Sequence, residues 1–378
     1  MKVVHVVRQY LPSVGGLEEV VRNLAQQQLR HAHYCPCVLT LNRVFREANV
    51  LLPSTEMLDG VAVRRLGFVG SDRYPLCPQV ALMLGNADLI HVHGIDFFFD
   101  YLALLHPLLR KPMVASTHGG FFHSGFARRL KQLYFRTATR LSATAYARVI
   151  ASSASDGELF SPVVPADRLV VIENGVDLEK FAGAASSDLR PVLIYFGRWS
   201  VNKGLLECLD VLAALCAQQP HIPWTLLIAG REYDLNTGDL NAYAESRGVA
   251  QRIVLHPNPD VHALRSLIGL ASYFLCLSRH EGFGIAPIEA ISAGLIPLLS
   301  PIPPFIRLFE TTGAGAVLYA TGATQKALQI GRLHADLAHS PRRFQSSLAA
   351  MQTNLKPYSW ESVAGHYACQ YDQVLALP

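Results

Sequence analysis

The sequence predicts an α/β protein of two Rossmann-like, doubly wound domains facing a central cleft, and three observations predict it. Strand-like apolar runs alternate with helix-like runs along the whole chain, the pattern of parallel sheets covered by helices. At 378 residues the chain exceeds the usual size of one hydrophobic core, so two domains are expected. Glycine clusters recur where strands end and helices begin, the edge at which such sheets bind ligands.

In the first half, residues 3–7, 34–40, 89–92, 113–116, 148–151 and 169–172 are the expected strands. In the second, 192–196, 224–229, 253–256, 273–277 and 296–299 repeat the arrangement. The small, polar, turn-rich stretch 182–191 reads as the linker. The expected division is therefore 1–185, 186–358, and a final helix in 359–378 that crosses back to the first domain. Gly15-Gly16 follows the first strand. His91-Val92-His93-Gly94 and Thr117-His118-Gly119-Gly120 end two others. In the second half Gly197-Arg198 closes the first strand, Lys203-Gly204 follows within a turn, and Gly230-Arg231 closes the second.

Composition narrows the classes. Half the residues are hydrophobic, 16% are charged and mean hydropathy is +0.22, which points to an exposed apolar surface or an apolar partner. The richest stretch, 95–109, is interrupted by Asp96, Asp100, His106 and Pro107, too short for a membrane span. The N-terminus runs straight into a strand, as expected of a cytoplasmic domain without a signal peptide. Seven cysteines without paired C-x-x-C spacing argue against a disulfide framework or a zinc site. The whole net charge of +4 lies before residue 188. No acidic residue occurs between Asp100 and Asp156, where Arg128, Arg129, Lys131, Arg136 and Arg140 accompany Leu130, Leu133, Tyr134, Ala138 and Leu141 at helical spacing. With Phe121 and Phe122 beside it, that basic amphipathic segment is read as an acceptor or membrane surface, the alternative being a core-packed helix with a solvated basic face. Nucleic acid is not an expected partner.

The segment Glu281-Gly-Phe-Gly-Ile-Ala-Pro-Ile-Glu289 carries the most chemistry. It follows a buried strand and opens a helix, so its glycine turn presents free backbone N–H groups and the positive end of a helix dipole to an anion. Carboxylates repel an anion, so Glu281 and Glu289 make sense as acceptors for sugar and ribose hydroxyls flanking a diphosphate. His91 and His93 are expected not to share a pocket and are not assigned to a metal. Asp96 and Asp100 serve either an acceptor or helix capping.

Across essentially the whole chain these residues resemble the retaining glycosyltransferases of family four, which have the GT-B fold. The motifs are Gly15-Gly16, Thr117-His118-Gly119-Gly120, Glu173-Asn174-Gly175-Val176-Asp177, Gly197-Arg198 with Lys203-Gly204, and the E-G-F-G block. Within it, Ala115-Ser-Thr-His-Gly-Gly-Phe-Phe-His123 resembles bacterial exopolysaccharide α-mannosyltransferases that use GDP-mannose and a polyprenyl-diphosphate-linked oligosaccharide. The resemblance implies that Arg198 and Lys203 clamp the donor diphosphate and that Glu281 and His118 serve the transferring sugar. It also implies that Glu289 binds ribose, that Gly197, Gly282, Phe283 and Gly284 offer backbone, and that Gly16 lets the first domain approach. It implies no metal, which agrees with the absence of a D-x-D sequence, while the basic, acid-free segment between Asp100 and Asp156 predicts a peripheral place on the inner face of the plasma membrane. The chain departs from many relatives at Ile302-Pro-Pro-Phe305, where prolines lack the N–H a glycine loop would give, leaving Phe305 or Arg307 to reach the donor. A UDP-sugar transferase, a nucleotide-sugar epimerase and a non-catalytic nucleotide-sugar-binding protein are the alternatives, because a fold alone does not select among them.

Overall fold

The computed structural model describes residues 1–13, 15–45, 50–72, 74–118 and 132–376. It divides into two compact units: Met1–Gly175 with Trp360–Pro378, and Val176–Ser359.

The strands of unit 1 are β1 (Lys2–Val7), β2 (Cys35–Leu41), β3 (Thr55–Leu58), β4 (Val61–Leu66), β5 (Val69–Ser71), β6 (Tyr74–Leu76), β7 (Leu89–His93), β8 (Met113–Ser116), β9 (Arg148–Ala151) and β10 (Leu169–Val171). Eight form one sheet in the order β10-β9-β8-β7-β1-β2-β4-β3, parallel except for β3 at the edge. Apart from Lys2 the central strands are buried, and helices cover both faces of such a sheet, so their sequences are near-continuous apolar runs interrupted by the buried His5, His91 and His93. The β3–β4 hairpin turns through Asp59 and Gly60 at φ +50° and +82°, the two left-handed positions a two-residue hairpin loop requires. The helix Trp360–Leu375 belongs to this unit. It buries Trp360, Val363, Tyr367, Tyr371 and Val374 against Val3, Leu24, Leu89 and Ile150.

Unit 2 holds β11 (Val192–Phe196), β12 (Thr225–Gly230), β13 (Ile253–Pro257), β14 (Tyr273–Cys276), β15 (Ile296–Leu299) and β16 (Ala316–Val317), all parallel, in the order β13-β12-β11-β14-β15-β16. Its core closes around Trp199, Trp224, Tyr273 and Phe274. The stretch 182–191, read from composition as the linker, lies inside this unit. Ala185 N–H donates to the Ala293 carbonyl at 2.8 Å, and a Cβ on Gly294 would meet the Ala185 methyl at 3.5 Å. Small residues are there for close packing rather than for freedom.

No helix among the described residues is long and apolar enough to cross a membrane.

Candidate active site

In unit 2 the chain runs outward from β11 to β12 and β13, then returns past β11 to β14, so β11 and β14 are neighbours at the point where strand order reverses. Loops leaving the carboxyl ends of two such strands part in opposite directions and leave a crevice that open parallel sheets use for ligands. Gly197 ends β11 at φ +144°. A Cβ on Gly230, at the end of β12, would lie 1.9 Å from the Gly197 carbonyl oxygen, so only glycine lets these two strand ends touch. Arg198 follows, exposed, with its guanidinium 4.7 Å from the centre of the Tyr233 ring, a cation–π placement.

Lys203 closes the short turn Val201–Lys203, and Gly204 at φ +70° starts the helix Leu205–Gln218. A Cβ on Gly204 would stand 2.1 Å from the Leu277 carbonyl oxygen. That approach seats the Lys203 turn on the segment leaving β14, and two further bonds fasten it: Asn202 Nδ2 donates to the His280 carbonyl at 2.8 Å and Arg279 N–H to the Asn202 carbonyl at 2.9 Å. Lys203 Nζ then donates to Glu281 Oε1 at 2.6 Å and Oε2 at 2.8 Å, while Ser278 Oγ donates to Oε1 at 2.7 Å. The two side chains are 19% and 14% exposed, so their attraction is screened far less than that of a surface pair. A cation and a carboxylate expected to act separately on a donor therefore hold each other. An ammonium has three donor positions and Glu281 takes two, which leaves one for another anion.

The helix Ile285–Ala293 begins at Gly284, φ +90°. A Cβ there would meet the Phe305 ring at 2.9 Å. Phe305 is fully buried under the glycine turn, so it supports that turn and does not face a ligand, contrary to the expectation for it. Gly282 is exposed with nothing within 4 Å of a would-be Cβ, and the Phe283 ring packs toward Tyr358, so this segment offers backbone N–H groups at a helix N-terminus. Glu289 Oε1 accepts from Lys180 Nζ at 2.8 Å.

In unit 1 the reversal falls between β1 and β7. Gly15 precedes the helix Gly16–Leu29, and Gly16 is exposed with open space on its Cβ side. His118 follows β8 at φ +49°, a left-handed conformation that costs a non-glycine residue on the order of 1 kcal/mol and is tolerated where surrounding structure imposes it. Its Nε2 lies 3.0 Å from His93 Nδ1; His93 Nε2 lies 2.9 Å from His5 Nδ1; His5 Nε2 lies 2.9 Å from Gln28 Oε1. His91 bonds Tyr371 OH and Ser116 Oγ, each at 2.8 Å. The expectation that His91 and His93 would not share surroundings is wrong, because residues two apart on a strand face the same side. Their rings are 3.9 Å apart. Ring nitrogens of His5, His91 and His93 lie within 4.8 Å of one another, but hydrogen bonds engage every one of them. Burial pushes His5 and His118 down to about 4, and His91 and His93 well below the ordinary imidazole value, so all four are neutral at pH 7.

Asp96 accepts from Phe98 N–H at 3.0 Å as the cap of the helix Phe97–Leu109. Asp100 accepts from Tyr134 OH and Ser142 Oγ, locking that helix to the segment after residue 131. Gly119, Gly120, Phe121, Phe122, Arg128, Arg129 and Lys131 lie outside the described residues. Farther on, the backbone loosens into a π-helical turn at Phe135–Thr139 before Arg140–Ala143, which rotates the face read from spacing. Phe135, Thr139 and Ala143 are buried, whereas Leu133 and Leu141 are 60% and 73% exposed. Leu104 and Leu108 on the helix locked to it are exposed as well.

Residue spacing could not find Lys180, Ser278, His5 or Gln28. Their roles depend on which strands are neighbours and in what register.

Two doubly wound units, one with a Lys–Glu pair and a glycine-opened helix N-terminus at its switch point, have the architecture of the GT-B fold. Residues 14–180 match the model of glycosyltransferase family 4 and residues 177–344 that of glycosyl transferases group 1. The chain is 49% identical over 378 residues to a GDP-mannose:cellobiosyl-diphosphopolyprenol alpha-mannosyltransferase of Xanthomonas oryzae pv. oryzae, covering 100% of this chain and 98% of that one. It is 43% identical over 380 residues to the protein of that name from Komagataeibacter xylinus, covering 100% and 95%. Among solved structures, a glycosyltransferase from Rickettsia africae ESF-5 superposes with a TM-score of 0.74 at 15% identity, covering 100% and 99%. The HepE protein of Anabaena in complex with UDP and glucose gives 0.68 at 17% identity, covering 99% and 100%. The chain belongs to glycosyltransferase family 4 and is a glycosyltransferase.

Proposed function

We propose that the protein transfers a mannosyl group from GDP-mannose to a polyprenyl-diphosphate-linked cellobiosyl acceptor, with retention at the anomeric carbon, in exopolysaccharide synthesis. The observation that carries this reading is the 43–49% identity, over the whole chain, to enzymes named for that reaction. The site supports it. Arg198 and the third donor position of Lys203 take the donor diphosphate, with the N–H groups from Gly282 to Gly284. Glu281 keeps acceptor capacity beyond the bonds from Lys203 and Ser278 and accepts from a sugar hydroxyl. Glu289, held by Lys180, accepts from ribose, and His118 and Gly16 serve the transferring sugar and the diphosphate. Charge growing on the departing nucleotide is met by fixed cations and a helix dipole, the preorganised groups that do most in such a step, and no metal is required. The leaving diphosphate oxygen accepts the acceptor's proton on the face it vacates.

Calorimetry in a metal chelator tests the donor. GDP-mannose should bind while UDP-glucose and UDP-GlcNAc do not; binding of a UDP-sugar alone contradicts the mannosyl assignment.

A lipid-linked acceptor calls for a membrane surface. Exposed Leu104, Leu108, Leu133 and Leu141 with exposed Arg136 and Arg140, on segments tied together through Asp100, have the mixed apolar and basic character of an interfacial surface. Co-sedimentation with anionic vesicles at low salt, reversed by high salt, is the expected result. Protein left wholly in the supernatant would remove this surface from the account.

A further inference from the structure

Four side chains from four separate segments make a continuous line from the strained His118 into the core of unit 1: His118 to His93 on β7, His93 to His5 on β1, and His5 to Gln28 on the helix Gly16–Leu29. His5, His93 and Gln28 are buried. Such a line has a direction when every ring is neutral, because a neutral imidazole has one donor and one acceptor nitrogen. The Gln28 carboxamide is assigned with its oxygen on His5 and its NH2 toward Tyr371, and an oxygen can only accept, so His5 Nε2 carries the proton. His5 Nδ1 is then an acceptor and His93 Nε2 a donor. His93 Nδ1 is in turn an acceptor and takes its hydrogen bond from His118 Nε2–H. The last nitrogen, His118 Nδ1, is left with a lone pair.

We propose that His93 and His5 are positioning residues: with Gln28 they hold His118 as the Nε2–H tautomer, so that Nδ1 accepts a hydrogen bond from a hydroxyl of the transferring sugar. This rests on the reading of the protein as a glycosyltransferase whose donor sugar meets His118. The tautomer matters to the partner. An Nδ1 lone pair attracts a hydroxyl and repels a phosphate oxygen, so the chain assigns His118 to the sugar and not to the diphosphate. The side chain is also held in place at both ends, by its φ of +49° and by the His93 bond. The titratable groups around it are His93, with His5 and His91 behind, and Asp156, whose carboxylate is bonded by Thr117 Oγ1 and by Ser152.

Nitrogen-15 NMR of the histidine-labelled full chain reads the tautomer directly, with the His118 signals assigned by their loss in His118→Gln. The expected result is a protonated Nε2 and an unprotonated Nδ1. In His93→Leu the two tautomers should mix, and kcat for transfer should fall roughly 10- to 100-fold, as for other residues that orient a site group from behind. His93→Asn, whose amide oxygen can take the place of Nδ1, should restore both. A protonated His118 Nδ1 in the wild-type chain overturns the inference with no variant needed, and so does a His93→Leu protein with wild-type tautomer and kcat. The NMR result does not depend on the donor. A failure of mannosyl transfer alone would leave the tautomer as found, and a wrong tautomer beside intact transfer would remove only this inference.

Discussion

Lys203→Ala should lower kcat/KM for transfer by roughly 10²- to 10³-fold, the usual cost of removing a preorganised group that meets charge in the transition state. Lys203 lies where strand order reverses, on a turn fixed by the Gly204–Leu277 approach, and its ammonium keeps one donor free beyond the two bonds to Glu281. On the proposed reading its loss removes a cation from the diphosphate, and it leaves the Glu281 carboxylate, 14% exposed, with only Ser278 as a remaining bonded partner in this cluster. Some loss of stability is therefore expected too, below the 3–5 kcal/mol found when one partner of a fully buried pair is deleted. Lys203→Arg should not restore full activity, because a planar fork does not reproduce a point charge on Glu281. Steady-state kinetics together with a thermal midpoint separates the two effects. A Lys203→Ala enzyme within a few-fold of wild type would contradict the role given to this residue.

Acid should unfold unit 1 by way of its histidines. His5 and His118 have folded values of about 4 against an ordinary value of 6.5, and His91 and His93 are also well below 6.5, all mainly through burial. Below pH 6.5 the unfolded chain takes up protons that the folded chain refuses. Stability present above 6.5 is therefore lost as the pH falls toward 4, by about 1.4 kcal/mol per pH unit for each such histidine. Asp96 acts in the opposite sense. Burial raises its carboxyl from 3.8 to about 6, so it favours the folded state at low pH and loses that contribution as the pH rises through this range. One carboxyl offsets one histidine, and the imidazoles prevail. Hydrogen exchange in β1 and β7 between pH 7.5 and 5 should show protection falling steeply, after allowance for the intrinsic exchange rate. Stability that does not change over that range would mean these rings are not held neutral.

The fold was legible because buried parallel strands write near-continuous apolar runs, and every run read as a strand is one. Five strands escaped: β3, β5, β6 and β16 are two to four residues long, and β4 alternates buried with more exposed positions and so writes no continuous apolar run. In the site, glycine spacing pointed to the Gly197, Gly204 and Gly284 turns because backbone approach leaves a compositional trace. Pairings did not, since Lys203 and Glu281 are 78 positions apart and meet only because β14 returns to the side of β11. The histidine line needed the register that sets His5 beside His91. From residue 132 on, the 3.6-residue period fails for a local reason: a π-helical turn at Phe135–Thr139 turns Phe135 and Thr139 inward and leaves Leu133 and Leu141 exposed.

The most direct measurement is to incubate the full chain with GDP-mannose and cellobiosyl-diphosphopolyprenol in anionic vesicles and determine the linkage of the lipid product by NMR. The account predicts release of GDP and one added mannose in α configuration. A β-linked mannose, or no mannose transferred to the lipid, would contradict it.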